Sequence, residues 1–401
     1  MTEDVPAGAA GCRGDLLVRR IGRLLTMVGP PVESAAVVVR DGRVAWTGAE
    51  RDLPAGSGGL PSIDAEGAAV VPGFVDPHTH LVWAGSRRTE FVARLAGERY
   101  DGGGIGVTVA ATRSAATDEL VRLTVERARA ALASGTTTME IKTGYGLSRD
   151  DELRLLDVIV AVGNRVPVRI EPTYLGAHVV PAGRDRADYV AEVVGSMPEV
   201  RRRGARWCDV FCDSGAFSVA ETRRILDAGR SAGLGLRLHA DQLVRIGAAG
   251  LAAESGCASA DHLDRIDRAG ARALAAAGTV GVLVPTATLS TRSNDWGQAA
   301  ILSEAGVTIA LATDCNPGTS WCESMPYVLS LACLGLGLTV QAALRAATRG
   351  AAAALRREDV GHLGVGAYGD LVVLAAAHEA DLVAHLGAPA VRRTVVGGVP
   401  V

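Results

Sequence analysis

Two histidines one residue apart, His78 and His80, close an apolar run that begins at Val70. Along an extended segment alternate side chains share a face, which sets the two imidazoles about 7 Å apart at a strand end. Such a pair can chelate one metal ion, or it can be two satisfied histidines at a strand-to-loop transition. Matching ligands at the ends of other strands decide between these readings, and the chain supplies them. His239 follows LGLRL and Asp314 follows VTIALAT. Three imidazoles and a carboxylate suit one Zn²⁺ or Fe³⁺ ion per subunit, with a position left for water. A metal held there lowers the pKa of its bound water from about 16 towards 7 and gives a hydroxide nucleophile at neutral pH. Asp314 can serve both as ligand and as acceptor of the water proton.

Other polar residues fall at the same kind of position. His262 can stabilise an oxyanion or shuttle a proton, or it can be a buried imidazole bonded to Asp261. His178, in LGAHVVP, can donate a hydrogen bond to a substrate carbonyl. Tyr145, in a glycine-flanked turn, can hydrogen-bond or stack on a planar ring. Arg87, just past the first histidine pair, can clamp a carboxylate through its planar fork, or can be a solvated surface arginine. Asn316, Gly318 and Thr319 offer backbone donors and a hydroxyl. Lys142 at a strand end raises a carboxylated bridging lysine and a second metal, although no further ligand set is evident. Cys208 and Cys212 have metal-like spacing but lie in an apolar alternating run without a second cysteine pair, which reads as a core strand.

These residues need a scaffold that gathers strand ends. Between residues 72 and 359 short apolar or β-branched runs alternate with Ala/Leu/Arg-rich amphipathic stretches. The strand candidates are 70–78, 136–142, 168–178, 206–212, 234–240, 257–263, 280–285 and 307–314, with helices between them such as 118–134, 218–232 and 339–355. Ser218 and Glu221 have the spacing of a capping box. Eight strand–helix alternations predict an α/β fold, a (β/α)8 TIM-like barrel with its chemistry at the C-terminal strand ends. A doubly wound open sheet is the alternative, but no Gly-x-Gly-x-x-Gly follows the first strand. Five of the eight histidines fall at predicted strand ends, which favours the barrel. Residues 14–71 and 360–401 are β-rich, with a hairpin signal at Asp41-Gly42, and predict a small composite β-sandwich built from both ends of the chain. Residues 1–13 read as disordered.

Composition narrows the function classes. A chain of 401 residues can bury a large core, and its 48% hydrophobic content with only 4% aromatics predicts small aliphatic packing. A formal charge of −3 without a basic block argues against nucleic acid and anionic membranes as partners. No apolar stretch reaches the roughly 20 residues of a spanning helix, and the first residues lack the pattern of a secretory signal. Seven scattered cysteines read as reduced thiols in a cytoplasmic protein.

Taken together, PGFVDPHTH, the histidines of strands five and six and the aspartate of strand eight resemble the amidohydrolase superfamily. More specific stretches are AGSRRTEF (84–91), GGGI (102–105) with TVAATR (108–113), IKTGYGLS (141–148), YLGAHVVP (174–181), DVFCDSGAFS (209–218), HADQL (239–243), SADHL (259–263) and ATDCNPGTS (312–320). The resemblance implies a metal-dependent hydrolase that opens the ring amide of a small imidazolone bearing a propanoate tail. It implies His78, His80, His239 and Asp314 as metal ligands and His262 as a catalytic group. Arg87, Tyr145, His178, Gln242, Asn316, Gly318 and Thr319 are implied to face the substrate. A homodimer is compatible with it. Gln242 stands where some members carry Glu, and an amide cannot act as a general base. The end of strand seven lacks an expected Pro-Gly turn, and Asp213-Ser214 replaces a more usual Glu-Lys. A hydrolase or aminohydrolase acting on another heterocycle, and a non-catalytic homologue, are the competing readings.

Overall fold

A computed structural model of the chain describes residues 12–98 and 104–401. Gly102 and Gly103 of the GGGI stretch, and residues 1–11 of the segment read as disordered, lie outside the described residues. Cys12, expected in that segment, is buried against the main core.

Eight parallel strands form the barrel in chain order: Phe74–Asp76, Thr136–Lys142, Arg169–Ala177, Trp207–Cys212, Gly235–Ala240, Ser259–His262, Val280–Leu283 and Ile309–Leu311. The first and last strands meet through a parallel bridge between Thr79 and Cys315. There the Asp314 amide donates to the His78 carbonyl at 2.9 Å and the His80 amide to the Cys315 carbonyl at 3.0 Å. Closure of the barrel therefore runs through the residues flanking three of the proposed ligands. The last strand, Ile309–Leu311, is shorter than the 307–314 expected, and Asp314 beyond its end takes φ 50°, a conformation that Asp tolerates better than most residues.

Both chain ends contribute to a second eight-stranded sheet. Its N-terminal members include Leu16–Leu24, Val32–Arg40, Arg43–Ala49 and Ala69–Pro72, and its C-terminal members include Leu371–Leu374 and Val391–Val396. Asp41 and Gly42 both take positive φ at the hairpin turn, as a two-residue type I′ connection requires. Alternation divides the faces: Val70, Val373 and Val395 join one apolar cluster, while Val71, Val372 and Val396 pack into the core shared with the barrel.

The run from Val70 to Asp76, read as one strand, is two. Ala69–Pro72 pairs with Leu371–Leu374 in the terminal sheet, and Phe74–Asp76 pairs with Thr136–Lys142 in the barrel. Gly73 makes the transfer, since a Cβ there would sit 2.2 Å from the Thr137 hydroxyl. Helices Thr117–Ala133 and Val219–Ser231 lie where the apolar periodicity predicts them, and the Ser218–Glu221 capping box forms in both directions. The 339–355 stretch is interrupted: Val340–Arg345 is α-helical, Ala346–Gly350 widens to a π turn, and Ala351–Ala354 completes it. A Cβ on Gly350 would lie 2.1 Å from the Ile309 carbonyl oxygen, so this helix rests directly on the last barrel strand.

Candidate active site

His78, His80, His239 and Asp314 converge at the C-terminal end of the barrel. The Nε2 atoms of His78 and His80 are 3.3 Å apart, and those of His80 and His239 are 3.4 Å apart. Asp314 Oδ1 lies 3.5 Å from His78 Nε2 and 3.3 Å from His80 Nε2. All four groups are buried. Their protonation is set from behind. His78 Nδ1 donates to Asp261 Oδ2 at 2.6 Å, and His239 Nδ1 faces Asp209 Oδ2 at 3.1 Å. A neutral imidazole that spends its proton on Nδ1 presents a lone pair at Nε2. Burial, followed by neighbouring positive groups, holds His78 and His80 far below the usual imidazole pKa. Imidazole nitrogens and a carboxylate oxygen packed within 3.3–3.5 Å of one another fit a cation. The donor set of three nitrogens and one oxygen suits a divalent transition metal.

The cavity above this cluster has a volume of about 260 Å³ and is lined by His80, His239, His262 and Asp314, with Arg87, Tyr145, His178, Gln242, Asn316 and Thr319 on its walls. Gly318 is not on this wall; it lines the adjoining cavity and packs against Arg87. His262 is buried, and burial pushes its imidazole down to about 3, so it is neutral at physiological pH. It is not bonded to Asp261, whose Oδ2 instead accepts from His78 and from Arg237 at 3.2 Å. His178 donates from Nδ1 to the Gly144 carbonyl at 2.9 Å, and burial keeps it neutral. Its Nε2 is therefore an acceptor, where the sequence suggested a donor. Asn316 organises its own loop: Oδ1 accepts from the Gly318 and Thr319 amides, both at 2.8 Å, and Nδ2 donates to the Asp314 carbonyl at 2.6 Å. After strand seven the chain enters the short helix Pro285–Ser290 with proline in its first turn, which does the work of the missing Pro-Gly turn.

The amidohydrolase family model matches residues 69–401 of the chain. The chain belongs to the amidohydrolase family. Among curated relatives of this amidohydrolase, imidazolonepropionase from Salinispora arenicola is 50% identical over 396 residues, covering 96% of this chain and 98% of the relative. Imidazolonepropionase from Myxococcus xanthus is 46% identical over 406 residues, with 96% of each chain covered. Solved structures share the fold at much lower identity. A zinc-bound adenosine deaminase from Xanthomonas campestris gives a TM-score of 0.73 at 20% identity, covering 96% of this chain and 92% of that one. Ochratoxinase from A. niger gives 0.72 at 20% identity, covering 96% and 95%.

Several residues of this amidohydrolase support the site from behind, and Glu140, Asp209 and Glu152 among them escaped the sequence reading. Lys142 is fully buried, and its Nζ lies 2.8 Å from Glu140 Oε1 and 2.7 Å from Asp209 Oδ2. Burial opposes its charge, but Asp209 and Glu140 outweigh burial and hold its pKa above the ordinary value. A protonated amine gripped by two carboxylates is not available for carboxylation, so the bridging-lysine alternative is set aside. Glu140 also accepts from the Thr79 amide at 3.1 Å, fixing the backbone between the two histidines. Glu152 accepts from the Gly144, Gly146 and Leu147 amides at 2.7–2.8 Å and so holds the turn that carries Tyr145. Asp213 accepts from the Gln242, Leu243 and Val244 amides at 2.7–3.0 Å, which anchors the loop bearing Gln242. The one available signal was placement: Asp209 is a charged residue inside an otherwise apolar strand, where a carboxylate has to be paired.

Proposed function

We propose that this amidohydrolase hydrolyses the ring amide of 4-imidazolone-5-propanoate to N-formimidoyl-L-glutamate, a step of histidine breakdown. The observation that carries the reading is the 50% identity, over 96% of the chain, to a curated imidazolonepropionase. The substrate and the residues in the cavity agree chemically: a planar ring, a carbonyl and one anionic tail meet imidazoles, a tyrosine and an arginine.

In this reading His78, His80, His239 and Asp314 hold one Zn²⁺ or Fe³⁺ ion. That ion supplies Lewis-acid polarisation and an activated water when bound. Asp314 takes the proton from the attacking water on its carboxylate and returns it to the ring nitrogen as the carbon–nitrogen bond breaks. Its Oδ1 is the atom among the histidines, while Oδ2 lies 3.5 Å from the Thr319 hydroxyl. Neutral His262, which lines the cavity together with Asp314, donates a hydrogen bond to the developing oxyanion. His178 accepts a ring N–H at Nε2, Tyr145 covers the ring, and Gln242 hydrogen-bonds without taking part in proton transfer. Arg87 binds the propanoate. We place the division of labour in two domains, with the barrel at 72–359 carrying the chemistry and the composite sheet of 14–71 and 360–401 bracing strand one. Among the described residues Cys208, Cys212, Cys257, Cys315, Cys322 and Cys333 are free thiols, which supports a reducing compartment, the cytoplasm. Among the described residues no helix is long and apolar enough to cross a membrane.

Arg87 provides the test that separates this substrate from other heterocycles. Arg87→Ala is expected to raise KM for the imidazolone at least about thirtyfold, the lower end for losing one partner of a buried charge pair. Steady-state kinetics with freshly generated substrate checks this, and an unchanged KM would reject the tail assignment.

A further inference from the structure

Next to the cavity, Arg87 and two residues of the helix Arg88–Leu95 form a compact charged cluster. Arg87 is only 6% exposed. Its Nε and NH2 donate to the two oxygens of Glu90 at 2.7 and 2.8 Å, a bidentate grip that fixes the plane of the guanidinium. Arg94, one helical turn on, approaches the same carboxylate at 3.8 Å through NH1 and donates from NH2 to the Gly318 carbonyl at 2.7 Å. Two glycines leave this cluster no slack. A Cβ on Gly318 would fall 2.2 Å from Arg87 NH1, and one on Gly104 would fall 1.7 Å from Glu90 Oε2.

We propose that Glu90 is a positioning residue for substrate recognition: it holds the Arg87 guanidinium in one orientation for the tail carboxylate, and Arg94 balances its charge. The proposal rests on the reading that Arg87 binds that tail.

Glu90 acts on a bound anion in two opposed ways. Its charge repels the anion, while its grip removes the rotamer freedom that Arg87 would otherwise lose on binding. Arg94 decides which wins. With Arg94 beside the same carboxylate the repulsion is offset, and the orientation of Arg87 is what Glu90 contributes. Gly318 links this cluster to the loop of Asn316 and Thr319, which places the carboxylate end of the substrate against the same loop that carries Asp314. Ordering one rotamer-rich side chain corresponds to about tenfold in affinity at most.

The test compares metal-loaded wild type, E90A and E90D on the propanoate substrate and on its propanamide, which keeps the ring and loses the charge. For E90A, KM for the propanoate is expected to rise about tenfold with kcat within about twofold of wild type, since the tail is remote from the reacting carbonyl. KM for the propanamide is expected to stay put. E90D keeps the charge but is one methylene too short to grip both nitrogens, and it is expected to raise KM for the propanoate in the same direction. An equal rise for both substrates would overturn the proposal, because it marks a general disturbance of the site. Wild-type KM values in E90A, or in E90D, would overturn it as well. A wild-type enzyme that does not distinguish propanoate from propanamide would instead reject Arg87 as the tail site, and with it the role of Glu90.

Discussion

Replacing Asp314 by asparagine is expected to lower kcat by about 10²- to 10⁴-fold, the range for losing a positioned general base, with further loss from a weakened ligand set. Asparagine is the informative choice. Asp314 sits at φ 50°, a left-handed conformation that Asn accepts readily, so the backbone at the barrel seam is preserved. The amide keeps the shape of the side chain and can still meet the Thr319 hydroxyl. What it loses is the negative charge and the ability to accept the proton of the attacking water. Burial raises the pKa of Asp314, and a cation bound among the histidines would favour its ionised form. Single-turnover measurements on protein of verified metal content separate the two losses. Turnover within tenfold of wild type would contradict the role given to Asp314.

Lys142→Met is expected to destabilise the fold by about 3–5 kcal/mol, the range for breaking a buried ion pair from one side. Glu140, Asp209 and Asp261 are all fully buried around the ammonium, and methionine fills the volume without compensating any charge. The pH dependence follows from this. Burial already raises the pKa of Glu140 and Lys142 lowers it, so with the lysine gone its folded-state value lies further above the unfolded one. The stability it contributes is then present at low pH and lost as pH rises through that folded value. The deficit relative to wild type is therefore expected to be larger at pH 8 than at pH 5, read by denaturant titration at both. The same change frees Asp209, which faces His239, and Asp261, which orders His78, so metal affinity should fall about 10- to 100-fold. A variant as stable as wild type at both pH values would show that the network is not what holds the strand ends in register.

The sequence exposed the ligands better than their supports. His78, His80, His239 and Asp314 are legible because each stands at the end of an apolar run, and strand ends are where a barrel brings distant residues together. The strand limits were less legible. Gly73 hides a change of sheet inside one continuous apolar stretch, because hydrophobic pattern marks burial and not which sheet a strand joins. Asp314, just past its strand, takes a left-handed turn that no neighbouring glycine announces. Asp209, Glu140 and Glu152 could be flagged only as charges in apolar or helical surroundings, since their partners lie on other strands and loops. The His178 tautomer depends on a carbonyl 34 positions away, and no local pattern encodes that.

The most direct measurement is turnover of freshly generated 4-imidazolone-5-propanoate by the purified protein, before chelation, after it, and after metal is restored. The expected result is formation of N-formimidoyl-L-glutamate that stops on removal of the ion and returns with Zn²⁺ or iron. Full activity in metal-free protein, or no product at any metal loading, would contradict the assignment of His78, His80, His239 and Asp314 as a hydrolytic metal centre for this substrate.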